Sequence, residues 1–467
     1  MFRRFLPIFA IIFLFYASVF AGESQDNLTL AGYLKNETSW RMQDFNYDLT
    51  KFKNIAELSG EYAVNEDLVF FTKARYWYDA AYDWRDKFDA GQHYQGHVQR
   101  TDWLRDCYLD YMNGSWFLRL GKQQVAWGQA DGITILDRVN PVDLTEYWLQ
   151  DFVDMRIPLW MANINYAPKL NSNLQFLVIP DFEASTATYP TGPFVFYSTE
   201  RFENWRKPQG NVDLNIYYPG KQFENSTFGL QWSDRIGDLD YTLNYLNGFY
   251  TSPRNTTIFV SGNPGIPSTT SWKVDRAFKR WRMYGGSMNK TFTNPGPMQG
   301  ITMRGDLAYY NDEPIYIGDP ALASAKKIAR WNNVFWLIGL DKYIVTNWLA
   351  SFQFSQYILE HAREKSQGLP SHQQYPMNAY TYGCADQVEN IFTLKISTDY
   401  MNERLKPEVL WSFTDDNQGR LSPKVTYEIK DNLWFTCGIH YFYGNLYDSN
   451  GQFRERSQFY TQLKRTF

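Results

Sequence analysis

The chain ends Phe459-Tyr460-Thr461-Gln462-Leu463-Lys464-Arg465-Thr466-Phe467, an alternating segment that stops on an aromatic residue. The last residues of a soluble domain usually fray and need no such pattern. A β-barrel in a bilayer does need one, because its last strand must pair with its first and leave no edge in hydrocarbon. Phe459, Thr461, Leu463 and Phe467 share one parity and suit a lipid-facing side, with Phe467 at an aromatic girdle. Arg465 shares that parity and breaks the pattern.

Composition agrees with this start. Phe, Trp and Tyr make up 18% of the 467 residues, yet the mean hydropathy is −0.49. Both hold if apolar and polar side chains alternate, so that each strand shows one face to lipid and one to water, a pattern that windowed hydropathy averages away. Arg3 and Arg4 followed by the apolar run Phe5 to Phe20 predict a secretory signal over residues 1–21. Cleavage then falls after Val19-Phe20-Ala21, leaving one barrel domain over 22–467. That apolar run is shorter than the roughly 20 residues that span a bilayer as a helix. With 46 basic and 50 acidic residues the formal net charge is −4, which points to no nucleic-acid partner. Cys107, Cys384 and Cys437 make an odd set with no evident disulfide framework. Cys107 and Cys437 fall on the lipid-facing parity of their segments.

Turns and long loops alternate. Tight turns rich in Asn, Asp and Gly are expected at Met112-Asn113-Gly114-Ser115, Arg235-Ile236-Gly237-Asp238, Met401-Asn402-Glu403-Arg404 and Lys430-Asp431-Asn432. Long polar stretches lie at 80–101, 128–157, 182–224, 251–279, 311–329, 361–386 and 444–456. Short periplasmic turns and long extracellular loops are the habit of outer-membrane barrels. The intervening segments predict an all-β fold, a transmembrane antiparallel barrel of about eighteen strands. Sixteen is the alternative count, the first hairpin and segment 173–181 being the least marked, and an even number puts both termini on the periplasmic side.

Alternation assigns faces. Leu433, Phe435, Cys437, Ile439 and Tyr441 oppose Thr436, Gly438 and His440, and Phe392, Leu394 and Ile396 oppose Thr393, Lys395 and Ser397. At the Asn113-Gly114 turn, a two-residue loop pairs Met112 with Ser115. Asp110 then faces Phe117, Tyr108 faces Arg119 and Asp106 faces Gly121, with Cys107 and Leu120 outside. The inward set is Glu57, Glu61, Lys73, Arg75, Asp106, Asp110, Arg119, Arg304, Asp306, Lys395, Glu408, Lys424, Glu428 and His440. It can line a water-filled selective pore or act as an ion-paired filling, and its balanced signs favour neither anions nor cations. Barrels of sixteen to eighteen strands are wide enough for an aqueous channel.

One loop differs from the rest. After Trp127 and Gly128 come Asp131, Asp137, Arg138, Asn140-Pro141 and Asp143, then Tyr147-Trp148, Asp151, Asp154 and Arg156. Asn140 suits a helix cap, Pro141 the first helical position and Asp143 the first turn, with Leu144, Tyr147 and Trp148 as an apolar stripe. A short helix of this kind finds a partner by folding into the barrel mouth. Residues 128–157 are therefore expected to form a constriction, with Trp127 at its base and Asp131, Asp137, Arg138, Asn140, Asp143, Asp151 and Arg156 controlling passage. Gly-Lys-Gln-x-x-x-Trp-Gly at 121–128 with Asp137 and Val139-Asn140-Pro141-Val142-Asp143 resembles a family of proteobacterial outer-membrane proteins catalogued as a domain of unknown function. The resemblance is sharpest over about 115–165 and implies an outer-membrane barrel, with a link to traffic of lipids or other hydrophobic compounds. It implies no catalytic residues.

Other constellations carry less. Asp79, Asp83, Asp86 and Asp89 crowd one segment but match no calcium loop, and His93 and His97 are four apart beside Gly91 and Gly96, a poor helix for a metal pair. Neither predicts a metal or cofactor. His440 is the only inward histidine, and no Gly-x-Ser-x-Gly elbow occurs, so no enzyme is expected. Loop aromatics Tyr94, Tyr189, Phe194, Phe196, Tyr197, Trp205 and Trp272 can stack on a ligand or form a lid. The sequence reads as a monomeric or trimeric outer-membrane channel for small solutes. A gated carrier of hydrophobic compounds and a scaffold with partner-binding loops are the alternatives.

Overall fold

A computed structural model of the chain describes residues 27–42, 48–84, 103–186, 192–195, 211–252, 254–261, 271–317, 327–360, 376–377, 388–445 and 448–467. The expected signal at 1–21, Asp86, Asp89, His93, His97 and most of the named loop aromatics lie outside these residues.

Period-2 alternation with Gly- and Asn-rich turns gives strands, and the strands close into one antiparallel barrel of 18. In chain order they run Leu28–Arg41, Leu49–Asn65, Leu68–Asp79, Leu104–Asn113, Trp116–Gln123, Leu159–Lys169, Ser172–Ile179, Thr227–Ile236 and Leu239–Phe249. The second half is Arg280–Thr291, Ile301–Ile317, Lys327–Val345, Trp348–Leu359, Val388–Ser397, Leu405–Thr414, Gly419–Lys430, Leu433–Tyr443 and Gln458–Thr466. Each pairs with its sequence neighbour in the ring, and Leu28–Arg41 pairs with Gln458–Thr466 to close it. The seam ends on Gly32 and Phe467, which exchange both backbone hydrogen bonds at 2.9 and 3.0 Å. A Cβ at Gly32 would sit 2.7 Å from the Phe467 ring, so a glycine there lets the ring lie across the seam. Arg465 stays on the outer parity, opposite Leu34 and Leu433.

Outward positions form the lipid-type face: Leu30, Leu109, Leu120, Leu243, Leu307 and Ile338 are all exposed. Cys107 and Cys437 lie on that parity and carry no disulfide. Trp116 and Tyr166 pack at the turn end with tilted rings, 4.6 Å between centroids, as a girdle pair.

Three expectations need correction. The turn after Leu104–Asn113 centres on Gly114 and Ser115, pairing Asn113 with Trp116, so the register moves by two residues from the expected one. Parity is kept, and Asp110 now faces Arg119 instead of Phe117, in a bidentate ion pair at 2.7 and 2.8 Å. Gly114 takes the left-handed conformation (φ 56°) at the first central position, which sets the register. The 311–329 loop is narrower than expected, because Ile301–Ile317 and Lys327–Val345 run on past a bulge near Asp312. The 182–224 and 251–279 stretches contain a separate three-stranded sheet of Asn211–Tyr217, Arg254–Ser261 and Ser271–Ala277.

Candidate functional site

The site is built around the segment between Trp116–Gln123 and Leu159–Lys169. Its two arms are zipped together at their base. Asn140, buried, accepts from the Val125 N–H (2.8 Å) and donates to the carbonyls of Ile157 (2.9 Å) and Gln123 (3.4 Å). Val142 bridges Arg156, and Asp143 N donates to Met155 O. Asn140 therefore caps no helix, and the expected helix start at 140 is absent: Pro141 favours extended backbone at residue 140, and its side chain is committed to the two arms. Helical turns form later, as a 3₁₀ turn at Tyr147–Leu149 and one α-turn at Phe152–Met155. Asp143 instead accepts from the backbone N–H and hydroxyl of Thr145 and from the Thr186 hydroxyl.

The first arm is seated by apolar burial. Val125, Trp127, Ile135, Leu136 and Val139 form one buried cluster with Leu159, Met161, Leu177, Met283, Tyr310 and Leu337 of the wall. These wall residues have the parity opposite to the exposed apolar face, so the loop lies inside the barrel. Each fully buried aliphatic side chain contributes about 1.5–3 kcal/mol. Polar pins fix the register of the seat. Asp306 accepts from the backbone N–H groups of Gln129 (2.9 Å) and Ala130 (3.1 Å). Arg304 donates to Gln129 O (2.6 Å) and pairs with Asp131 (2.9 Å) and Asp341 (2.7 Å). Gly128 is required beside Asp306: its φ is +93°, and a Cβ there would lie 2.7 Å from Asp306 Oδ2. Trp127 donates to Gln175 (2.8 Å), and Arg138 lies over the Tyr310 ring at 5.6 Å.

The second arm is held by charge. Glu146 pairs with Lys51 and with Lys53 (2.8 Å), and Asp154 pairs with Arg75 (2.5 Å) and Lys35 (3.8 Å). Arg105, buried at a bulge, donates to the carbonyls of Val153 (3.1 Å) and Arg156 (2.8 Å). Burial pushes the Asp154 carboxyl up, but Arg75 and then Lys35 outweigh it and hold the group below the usual carboxylate range. Glu146 is held down in the same way by Lys51 and Lys53. Asp137 differs: burial raises its carboxyl despite the Arg156 pair at 2.6 Å.

Between the second arm and the strands Leu28–Arg41, Leu49–Asn65, Leu68–Asp79 and Val388 onward lies a cavity of about 550 Å³. Of the sequence-expected residues, Asp131, Asp143, Asp151, Arg75, Lys395, Glu408, Lys424 and His440 line it. Trp127, Asp137, Arg138, Asn140 and Arg156 instead build the loop and its seat. Arg304 and Asp306 pin the loop, and Glu57 holds Arg75 (2.5 Å). Lys73–Asp106 (3.6 Å) and Asp110–Arg119 form pairs on the wall away from the cavity lining, and Glu428 lies near a turn opposite Trp434. Ser422 Oγ lies 2.9 Å from Nδ1 of His440, and among the described residues no carboxylate bonds the other ring nitrogen. Phe194 packs with Tyr147, Phe442 and Phe453 as part of a small buried cluster.

Sequence reading missed Lys35, Lys51, Lys53, Glu146 and Arg420, all of which line the cavity. Lys51 and Lys53 share the parity of Glu57, which was the available signal. Glu146 was obscured by the supposed helical stripe around it.

A closed ring of 18 antiparallel strands with one loop folded inside defines a porin-like barrel of the outer-membrane type. Residues 22–467 match the protein family of unknown function DUF1302, and the chain belongs to that family. Among solved structures it is similar to OccAB3 of Acinetobacter baumannii, with 11% identity over 95% of this chain and 99% of that chain and a TM-score of 0.51. It is similar to the outer membrane protein OpdK of Pseudomonas aeruginosa at 8% identity, over 95% and 99% of the two chains, with a TM-score of 0.51. At these identities the likeness is one of fold. No curated protein matches the chain.

Proposed function

We propose that the protein is a porin-like channel of the Gram-negative outer membrane, through which small solutes diffuse past the inward loop. Export with removal of residues 1–21 belongs to the same reading. The observation that carries it is the division of the lumen: the loop fills one side by apolar packing and leaves a charge-lined cavity of about 550 Å³ on the other. Selection then falls to Asp131 of the first arm, Asp143 and Asp151 of the second, and the wall charges opposite. An apolar cargo is the weaker reading, because the apolar interior surface is already covered by the loop and strand pairing is continuous around the ring. Its partners are outer-membrane lipid outside and a small solute within, and no reaction step is involved.

Single-channel recording of the refolded mature chain in a planar bilayer tests the proposal. Steady ohmic openings are expected, and deletion of residues 130–152 from a chain that still folds should raise the conductance several-fold. A folded barrel that stays silent, or a deletion with unchanged conductance, would sink it.

A further inference from the structure

Two cations stand on the outer wall. In Arg280–Thr291, Trp281 and Met283 pack inward in the cluster that seats the loop, so Arg280, Arg282 and Tyr284 face outward. Register agrees: Gly286, on the same face, lies opposite the exposed Leu243 and Leu307. A lipid-facing arginine is costly at the bilayer midplane and tolerated near an interface. The rows around this column place the pair at the extracellular interface. Arg280 opens its strand after the long 251–279 stretch, and Lys290 lies at the periplasmic end of the same outward column. Tyr245, Tyr284 and Tyr309 form a cross-strand aromatic row, the first two with ring centroids 5.1 Å apart. One step above it run Asn247, Arg282 and Asn311, and one step higher Arg280 lies opposite Phe249.

Neighbours orient the two guanidiniums. Arg280 donates to Asn247 Oδ1 (3.0 Å) and to the carbonyls of Glu224 (3.0 Å) and Ser226 (2.9 Å), and it lies over the Phe249 ring at 4.8 Å. Arg282 is exposed and reaches Asn311 Oδ1 at 3.5 Å, the outer limit of a hydrogen bond. These acceptors are uncharged, so they position the guanidiniums and leave their charge to the surroundings. The two arginines are one two-residue step of about 7 Å apart on one face. One phosphate can accept from both, and the guanidinium fork matches its oxygens. Beyond this column the rim is mixed in sign: Asp312 follows Asn311, and the Glu360 N–H donates to the Asn332 carbonyl at 3.1 Å. The positive patch is therefore one column wide and suits a single phosphate, not a polyanion. Below it the wall turns apolar through Tyr284, Leu243 and Leu307, the last two 59% and 54% exposed. Acyl chains attached to the seated anion would cover that surface, which a free phosphate leaves bare.

We propose that Arg280 and Arg282 form a docking site on the outer wall for a phosphate of an outer-leaflet glycolipid of the lipid A type, with its acyl chains along Tyr284, Leu243 and Leu307. This rests on the outer-membrane placement in the proposed function and not on conduction, so the two fail separately.

The test is native mass spectrometry of the full mature chain, refolded in detergent and titrated with lipid A or with the same lipid stripped of its phosphates. Lipid A is expected to bind at least about tenfold more tightly than the stripped lipid, the worth of one charge-assisted hydrogen bond. Arg282→Gln should lower the lipid A affinity by about the same factor, with folding checked by heat-shifted migration on a gel. Lys290→Gln, at the other end of the same column, should leave it unchanged. Equal binding of the two lipids overturns the proposal, as does an unchanged affinity in folded Arg282→Gln or an equal loss in Lys290→Gln. Displacement of lipid A by an excess of inorganic phosphate would assign the arginines to a free anion and overturn the lipid source. If Arg282→Gln does not fold, the two-lipid comparison on the unaltered chain decides. A silent barrel that prefers lipid A removes the channel and keeps the docking site, and a conducting barrel without that preference removes the docking site alone.

Discussion

Arg75 of the wall holds the Asp154 carboxylate of the loop at 2.5 Å, although the loop leaves the barrel two strands further along the ring. The contact turns a segment seated on one side of the lumen into a bridge that reaches the other. Glu57 braces the same guanidinium at 2.5 Å, so Arg75 is pre-positioned whether or not the loop is docked.

Asp154→Asn should loosen the second arm without unseating the first. Loss of the charge-assisted bonds weakens docking by about 1.5–3 kcal/mol. Open-channel current noise is expected to rise while urea stability of the barrel stays nearly constant. Quiet traces in the variant would show that the pair is not what holds the arm.

Acid should act on the same tie, with a defined sign. Asp154 and Glu146 are held below the ordinary carboxylate range by Arg75 with Lys35 and by Lys51 with Lys53. A group whose docked pKa lies below its free value, about 4, strengthens docking above that value and ceases to do so as pH falls through the docked pKa. The loop is therefore expected to stay seated from about pH 8 to about pH 5 and to loosen only in stronger acid. Conductance recorded down a pH series checks this, and a transition near neutrality would contradict it.

The apolar seat predicts a different failure. Asp306→Ala removes the acceptor for the Gln129 and Ala130 N–H groups and leaves two backbone donors in a partly buried setting, at a cost of at most about 1–3 kcal/mol each. Proteinase K should then cut within residues 128–140 of the variant and not of the parent chain, a difference that mass spectrometry of the fragments reads directly. Equal protection in both would remove Asp306 as the pin.

Much of this architecture was legible in the residues. All the expected strands exist, because alternation between lipid and water constrains every membrane-spanning position. The loop was singled out by its composition. Its internal structure was not legible, because Asn140-Pro141 carries the same local signal whether Asn140 caps a helix or bridges two arms, and only the distant backbone of Val125 and Ile157 decides. The apolar inner wall was hidden for a related reason. Segments such as Phe335-Trp336-Leu337-Ile338 are apolar on both parities, which alternation reads as noise and the structure explains as one face for lipid and one for the loop.

At the seam, Gly32→Val should obstruct closure. The added carbon would fall 2.7 Å from the Phe467 ring and 2.5 Å from the Glu57 carbonyl. A reduced yield of the compact, heat-modifiable form on refolding is expected, with partial rescue by Phe467→Ala in the same chain, which opens room on the ring side. Normal folding of the single variant would mean the seam is more pliant than its contacts imply.

The loop's two attachments divide the circumference into parts that can change independently. Strands from Leu159–Lys169 round to Lys327–Val345 are tied to a shape, since Leu159, Met161, Leu177, Met283, Tyr310 and Leu337 there pack with the loop. Around the cavity, positions that do not touch the loop carry no such obligation. Side chains such as Lys395 and Lys424, which pair with Glu408 of the wall and not with the loop, can be exchanged for others of different sign or size while the loop keeps its seat. A lineage of barrels built on this plan can therefore alter what it admits by drift on one half of the wall, with the other half conserving the scaffold.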